Sequence, residues 1–124
     1  MTNPTAEMLV IGDEILSGRT QDANMYYLAR ELTKIGIELK EVRVVSDDKD
    51  AIITAVKSLS ETFFTVITSG GIGPTHDDIT ADCVAAAFDR KIDVREDARV
   101  LLAAHYVRQG LALNAARLRM ARIP

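Results

Sequence analysis

Apolar, strand-like runs alternate with helix-like stretches three times along the chain, and this alternation is the tightest constraint on its fold. The runs cover residues 7–11, 38–45 and 64–68. Strand and helix in regular succession mark an α/β domain with a mainly parallel sheet. The 124 residues suit one domain, and a domain of that size buries roughly two-thirds of its unfolded surface without disulfide staples. The third run is continuously apolar, so burial on both faces and a central place in the sheet are expected. The second run alternates charged and apolar residues, as a half-covered strand does.

Stripes and caps outline the helices. Gly12-Asp13-Glu14 ends the first strand, and residues 15–21 read as an irregular turn centred on Gly18. Asp22 is placed as N-cap of the first helix. Met25, Leu28, Ala29, Leu32 and Ile35 form its expected buried stripe, and Gly36 closes it. Ser46-Asp47-Asp48 closes the second strand and offers a cap to a helix with Ile52, Val56 and Leu59 facing inward. Thr80 is the expected cap of the next helix. Residues 90–94 read as an extended link and 95–109 as a helix with Val100, Ala104, Val107 and Leu111 aligned. A short helix over 114–120 is capped by Asn114. The sequence then ends at Ile123-Pro124 with no closing strand, so the domain is expected to continue in a longer parent.

Composition narrows the functional classes. The net charge is −3 and the pI about 5.3, which disfavours an extended nucleic-acid surface, normally basic. No signal-peptide pattern opens the chain, and no apolar run approaches the ~20 residues that span a bilayer. The single cysteine, Cys83, rules out an intrachain disulfide and fits a reducing compartment. These features predict a cytoplasmic protein whose partner is neither nucleic acid nor membrane.

The segment 69–80, SGGIGPTHDDIT, joins the third strand to the next helix. Glycines after a strand let main-chain N–H groups turn toward a ligand and let it come close. The start of a helix adds unsatisfied N–H groups and a positive dipole end. Both favour phosphate. Asp77 and Asp78 would repel phosphate unless a divalent cation lay between, and carboxylate with substrate phosphate is how Mg²⁺ is usually held. Acids also close the other two strands, at residues 12–14 and 46–48, and ligands of open parallel sheets bind beyond the carboxyl ends of the strands. The competing reading is a tight turn capped by Asp77 or Asp78, with the other acids as turn and cap residues. A Walker loop is excluded because no lysine lies between Lys57 and Lys91, and the dinucleotide fingerprint fails because His76 stands where its third glycine would fall.

The stretch GGIGPTHDDIT, together with IGDEILSGRTQDANMYYLARELTKIGIEL and VVSDD, resembles the N-terminal domain of competence/damage-inducible protein A. That domain is a branch of the molybdopterin-binding, Mog/MoaB-like superfamily, and eukaryotic FAD synthases carry a similar one. The likeness covers essentially the whole chain. It implies a three-layer α/β/α sandwich and a homo-oligomer, dimer or trimer. In Mog-like relatives two acidic positions serve molybdopterin and metal handling, and these fall on Asp47 and Asp78. The glycine loop contacting the phosphate-bearing ligand falls on Gly70, Gly71 and Gly73. The competence branch is linked to ADP-ribose pyrophosphatase activity with a divalent metal. The family's glycine-rich segment and strand beyond Arg-Ile-Pro are absent from this sequence, so residues 1–124 are expected to be such a domain lacking its C-terminal strand. The competence family's second domain, a nicotinamide-nucleotide amidase, is absent too.

Asp78 and Asp47 are therefore the expected catalytic, metal-holding residues. Ser69, Gly70, Gly71, Gly73, Pro74, Thr75, Asp13, Glu14 and Asn24 are the expected ligand contacts. The cofactor implied is Mg²⁺ or Co²⁺, and the ligand a nucleotide or pterin, molybdopterin itself included. Helix capping is the alternative for Asp47 and Asp78, a turn for Asp13 and Glu14, and capping for Asn24. His76 reads as a solvated loop residue that could touch phosphate, and His105 as structural. Cys83 reads as small and buried. Arg117, Arg119 and Arg122 form a basic cluster, suited to phosphate but read here as a solvated face. Three functions are open: hydrolysis of a pyrophosphate bond in ADP-ribose or a similar dinucleotide, molybdopterin binding without hydrolysis, or a protein-interaction domain that keeps the fold without the activity, which the loop's intact glycines and acids argue against.

Overall fold

A computed structural model describes residues 3–124. They form two compact units, one ending at Gly70 and the other beginning at Gly71. Among the described residues no helix is long and apolar enough to cross a membrane.

The first unit runs β1 (Thr5–Ile11), α1 (Asp13–Leu16), α2 (Asn24–Lys34), β2 (Glu38–Val45), α3 (Lys49–Thr62) and β3 (Thr65–Ser69). The strands form a parallel sheet in the order β2-β1-β3. The central strand is thus β1, not the third run as its apolar character suggested. Every residue of β1 from Ala6 to Ile11 is buried, whereas Phe64, just before β3, is fully exposed. Glu7 disguises β1: a charged letter interrupts the apolar run that would have announced a central strand. β2 follows its alternation only at the start, with Glu38 and Lys40 exposed and Leu39 half-buried; beyond that Glu41 and Arg43 are half-buried and Val44 is exposed. Its pairing with β1 skips Lys40, a one-residue bulge that shifts the register between Ala6 and Glu7.

Helix α3 packs across all three strands, with Ile52, Val56 and Leu59 buried as expected and Ala55 beside them. The Asp48 carboxylate caps it, accepting from the Ala51 amide at 2.9 Å. The Asp22 carboxylate accepts from the amides of Asn24 and Met25, so it caps α2 although Ala23 is the residue just before the helix. The stripe of α2 is only partly covered: Leu32 is buried, while Met25 and Ile35, in the first turn and just past the last, are exposed. The region read as irregular contains one helical turn, α1.

The second unit contains α4 (Thr80–Ala87), β4 (Asp93–Val94), α5 (Glu96–Arg108), α6 (Ala115–Leu118), a 3₁₀ turn (Arg119–Ala121) and β5 (Arg122–Ile123). β5 pairs antiparallel with β4, so a two-residue strand follows the last helix where none was expected. Thr80 is the first residue of α4, with Ile79 in the cap position; it is buried, and its amide donates to the Gly71 carbonyl at 3.1 Å. Asn114 caps α6 as expected, accepting from the Arg117 amide at 2.8 Å. α5 is the helix expected over 95–109, but its aligned stripe is uncovered: no α5 residue is buried, and Val100 and Val107 are exposed, as is Leu111 just beyond the helix. Helical spacing marks an apolar side but not whether anything covers it.

Candidate functional site

At the carboxyl ends of β1 and β2, two aspartates grip each other's main chain. The Asp13 amide donates to Asp47 Oδ2 at 3.0 Å, and the Asp47 amide donates to Asp13 Oδ1 at 3.2 Å. The cap of α3 is Asp48, so Asp47 is not the capping residue of this pair. One oxygen of each carboxylate is committed to holding neighbouring strand ends together. Nearby, Asn24 Nδ2 donates to Ser69 Oγ at 2.8 Å. Glu14, Asn24, Ser69 and Gly70, all expected ligand contacts, line a cavity of about 270 Å³ in this unit. Gly70 has φ +98°, and a Cβ there would lie 2.0 Å from the Ile11 carbonyl oxygen. Any side chain would therefore drive β1 and the end of β3 apart. A larger cavity, about 620 Å³, opens near the other ends of the strands. It is lined by Pro4, Leu32, Ile37, Phe64 and Ile67 among others and offers no charged group.

Glu7 is an acid the sequence reading did not single out. It is wholly buried, and no donor reaches either carboxyl oxygen. Burial is the main cause that pushes its pKa up, to about 7; the neighbouring Glu41 carboxyl adds to this, while Arg43 opposes it. Glu41 sits opposite Glu7 in the sheet register. Arg43 in turn binds Glu41 at 3.0 Å and Ser58 of α3 at 3.2 Å.

In the second unit, Asp78 folds the glycine loop onto itself. Its Oδ2 accepts from the Thr75 amide at 2.9 Å and the Thr75 hydroxyl at 2.8 Å. Burial works to raise its pKa, but these two bonds, a further one from the Gly73 amide and the charge of Arg119 outweigh it and hold the carboxyl below the usual range. Gly73 is glycine for a steric reason: a Cβ would lie 2.8 Å from Asp78 Oδ2. Gly71, at φ +66°, leaves room for the Thr80 hydroxyl. His76 and Asp77 stand exposed at the loop tip. Cys83 is buried, as expected.

A cavity of about 330 Å³ in this unit is lined by Gly71, Gly73, Asp78, Asp82, Arg119 and Arg122, with Ile72, Ala81 and Met120. Arg122 is paired with Asp82, Nη2 to Oδ1 at 2.6 Å. Arg119 Nε is buried and has no hydrogen-bond partner among the described residues. The expectation of a solvated face is corrected for both: Arg122 is half-buried against Asp82, and Arg119 has its Nε buried. No local signal could have placed them, since Arg122 and its partner lie 40 residues apart in sequence. The expected residues thus divide between the units: Asp13, Glu14, Asn24, Asp47, Ser69 and Gly70 in the first, and Gly71, Gly73, Pro74, Thr75 and Asp78 in the second. Among the described residues no group of three or more His, Cys, Asp or Glu side chains is gathered as for a metal ion.

The family described as "Probable molybdopterin binding domain" matches residues 7–121. The crystal structure of CinA from Thermoplasma acidophilum aligns over the whole chain and 72% of its own, at 35% identity and a TM-score of 0.85. MoaB from Pyrococcus furiosus, a tungsten cofactor synthesizing protein, aligns over 89% of this chain and 67% of its own, with 24% identity and a TM-score of 0.66. A "Probable FAD synthase" of Caenorhabditis elegans is 44% identical over 95 residues, which is 77% of this chain and 18% of that protein. The chain spans half or less of the length of the curated relatives it matches. The fold class is that of the MoaB and CinA structures, three-layer α/β/α with a mainly parallel sheet. Glycine loop, strand-end acids, fold and sequence agree: the chain belongs to the molybdopterin-binding domain family, in its CinA and MoaB/Mog-like branch.

Proposed function

We propose that the chain binds a phosphate-bearing nucleotide or pterin at the 71–73 loop and, with a divalent cation, hydrolyses a pyrophosphate bond in ADP-ribose or a similar dinucleotide. One observation carries this reading. Asp78 is kept anionic by Thr75 and Gly73 in the wall of a cavity that also holds bare glycine backbone and two arginines. The likeness to a protein named as an FAD synthase supports a nucleotide ligand.

Mg²⁺ or Co²⁺ fits an anionic Asp78. Mg²⁺ is usually held by one or two carboxylates together with substrate phosphates, so no three-residue cluster is required. Such a cation supplies a neutralising charge to phosphate and lowers the pKa of bound water. The chain's own part is to hold Asp78 charged and to present the glycine main chain of the loop. Purified protein should release AMP from ADP-ribose with Mg²⁺ or Co²⁺, and Asp78→Asn should abolish it. Equal turnover by the variant would end the assignment. Asp47→Asn is the companion test of a metal-holding role for Asp47, whose Oδ2 already accepts the Asp13 amide.

The second reading is molybdopterin binding without hydrolysis, and the family match over residues 7–121 favours it. Calorimetry with a pterin phosphate against ADP-ribose separates the two. Tight pterin binding with no turnover selects the carrier.

A further inference from the structure

We propose that Arg119 is the anion-recognising residue of the second unit's cavity, and that the ligand's phosphate seats against its guanidinium. The inference rests on the phosphate reading above and makes it specific: it names the group that meets the phosphate.

The other charges lining the cavity have partners. Asp82 is bound by Arg122 through two hydrogen bonds, at 2.6 and 3.4 Å. Asp78 accepts the Thr75 amide and hydroxyl and the Gly73 amide. Arg119 differs: it lines the cavity, and its buried Nε has no hydrogen-bond partner among the described residues. A buried N–H left unpaired is costly, so this guanidinium is not satisfied by the protein alone. A guanidinium presents its donors in a planar fork that matches phosphate oxygens two at a time, which glycine amides cannot do with charge.

Arg119 also stands on a fixed support. It opens the 3₁₀ turn between α6 and β5. The turn is pinned at its far end by the Arg95 amide, which donates to the Ala121 carbonyl at 2.9 Å, and then by the β4–β5 pairing. Arg117 serves as an internal contrast. Its guanidinium donates to the Ala112 carbonyl at 2.7 Å and lies over the Tyr106 ring, so it has partners and does not line the cavity. The ligand class selected is a phosphate monoester or a pyrophosphate.

The test is a titration of the full chain with sodium pyrophosphate. Chelator excludes divalent cations, chloride holds the ionic strength constant, and the melting temperature is read. Wild type and Arg117→Gln should show the same rise, and Arg119→Gln should bind at least tenfold more weakly. If Arg119→Gln does not melt cooperatively, Arg119→Lys keeps the charge but loses the fork, and should bind at least threefold more weakly. Unchanged pyrophosphate binding by Arg119→Gln, or by Arg119→Lys where that variant is the one used, would overturn the role of Arg119 and leave phosphate binding standing. No response from wild type, either in chelator or in a parallel titration with Mg²⁺, would overturn both. Arg119-dependent binding with no ADP-ribose turnover would uphold Arg119 and remove only the hydrolysis.

Discussion

Glu7 and Asp78 are both carboxylic acids set among folded neighbours, one in each unit, and their chemistry diverges. Glu7 lies in the middle of a sheet where no donor reaches it, so it holds its proton up to about pH 7. Asp78 lies in a loop that turns two amides and a hydroxyl toward it, so it loses its proton below the usual range. Burial alone pushes both the same way, toward the neutral form. The donors decide which acid stays charged, and only a charged acid can serve a cation. The same lesson orders the other aspartates. Asp13 and Asp47 of the first unit bond the backbone of each other's strand ends, whereas Asp78 bonds its own loop beside a cavity.

The sharpest way to break this comparison is through the backbone on which it rests. Gly70→Ala should cost about 3 kcal/mol or more, because both φ and the Ile11 carbonyl exclude a side chain. Denaturant midpoints measure it. Next comes acid. Glu7 has its folded-state pKa raised from 4.5 to about 7, so its contribution is complete below pH 4.5 and is lost as pH rises through 7. Wild type should therefore gain about 5 °C or more over Glu7→Gln as pH falls from 8 to 5. Asp78 has the opposite sign. Its pKa is lowered from 3.8, so its contribution is present above pH 3.8 and fades only below that. In chelator, Asp78→Ala should cost about 2 kcal/mol at neutral pH. A wild type that loses stability between pH 7 and 5 relative to Glu7→Gln would refute the assignment of Glu7.

Smaller effects sharpen the contrast. Asp13→Ala should cost about 1 kcal/mol, and its effect should not add to that of Asp47→Ala, because each removes one half of a reciprocal pair. His76→Ala, at a side chain 91% exposed, should shift stability by less than about 0.5 kcal/mol. A larger loss there would mean that the loop tip is packed, contrary to its exposure.

Local features were legible in the sequence. The inward face of α3, the cap by Asn114 and the close of α2 at Gly36 depend on spacings of a few residues, and they stand as expected. The partnership of Thr75 with Asp78 is equally local, three residues apart, yet the sequence reading did not contain it. Long-range features were hidden. The central place of β1 depends on which strands flank it, and Glu7 masked the pattern that would have shown it. The place of Arg122 in the cavity wall depends on a partner 40 residues away. The exposed stripe of α5 shows the same limit, because period reports chemistry along one element and is silent on its neighbours.

The reciprocal grip of Asp13 and Asp47 makes each carboxylate the protector of a named main-chain proton on the other's strand end. A cation that drew either side chain toward itself would release one of those two protons to solvent exchange. Proton–deuterium exchange at the Asp13 and Asp47 amides is therefore a built-in gauge. It would read metal occupancy at this edge with no substrate, no turnover and no spectroscopic label on the ion.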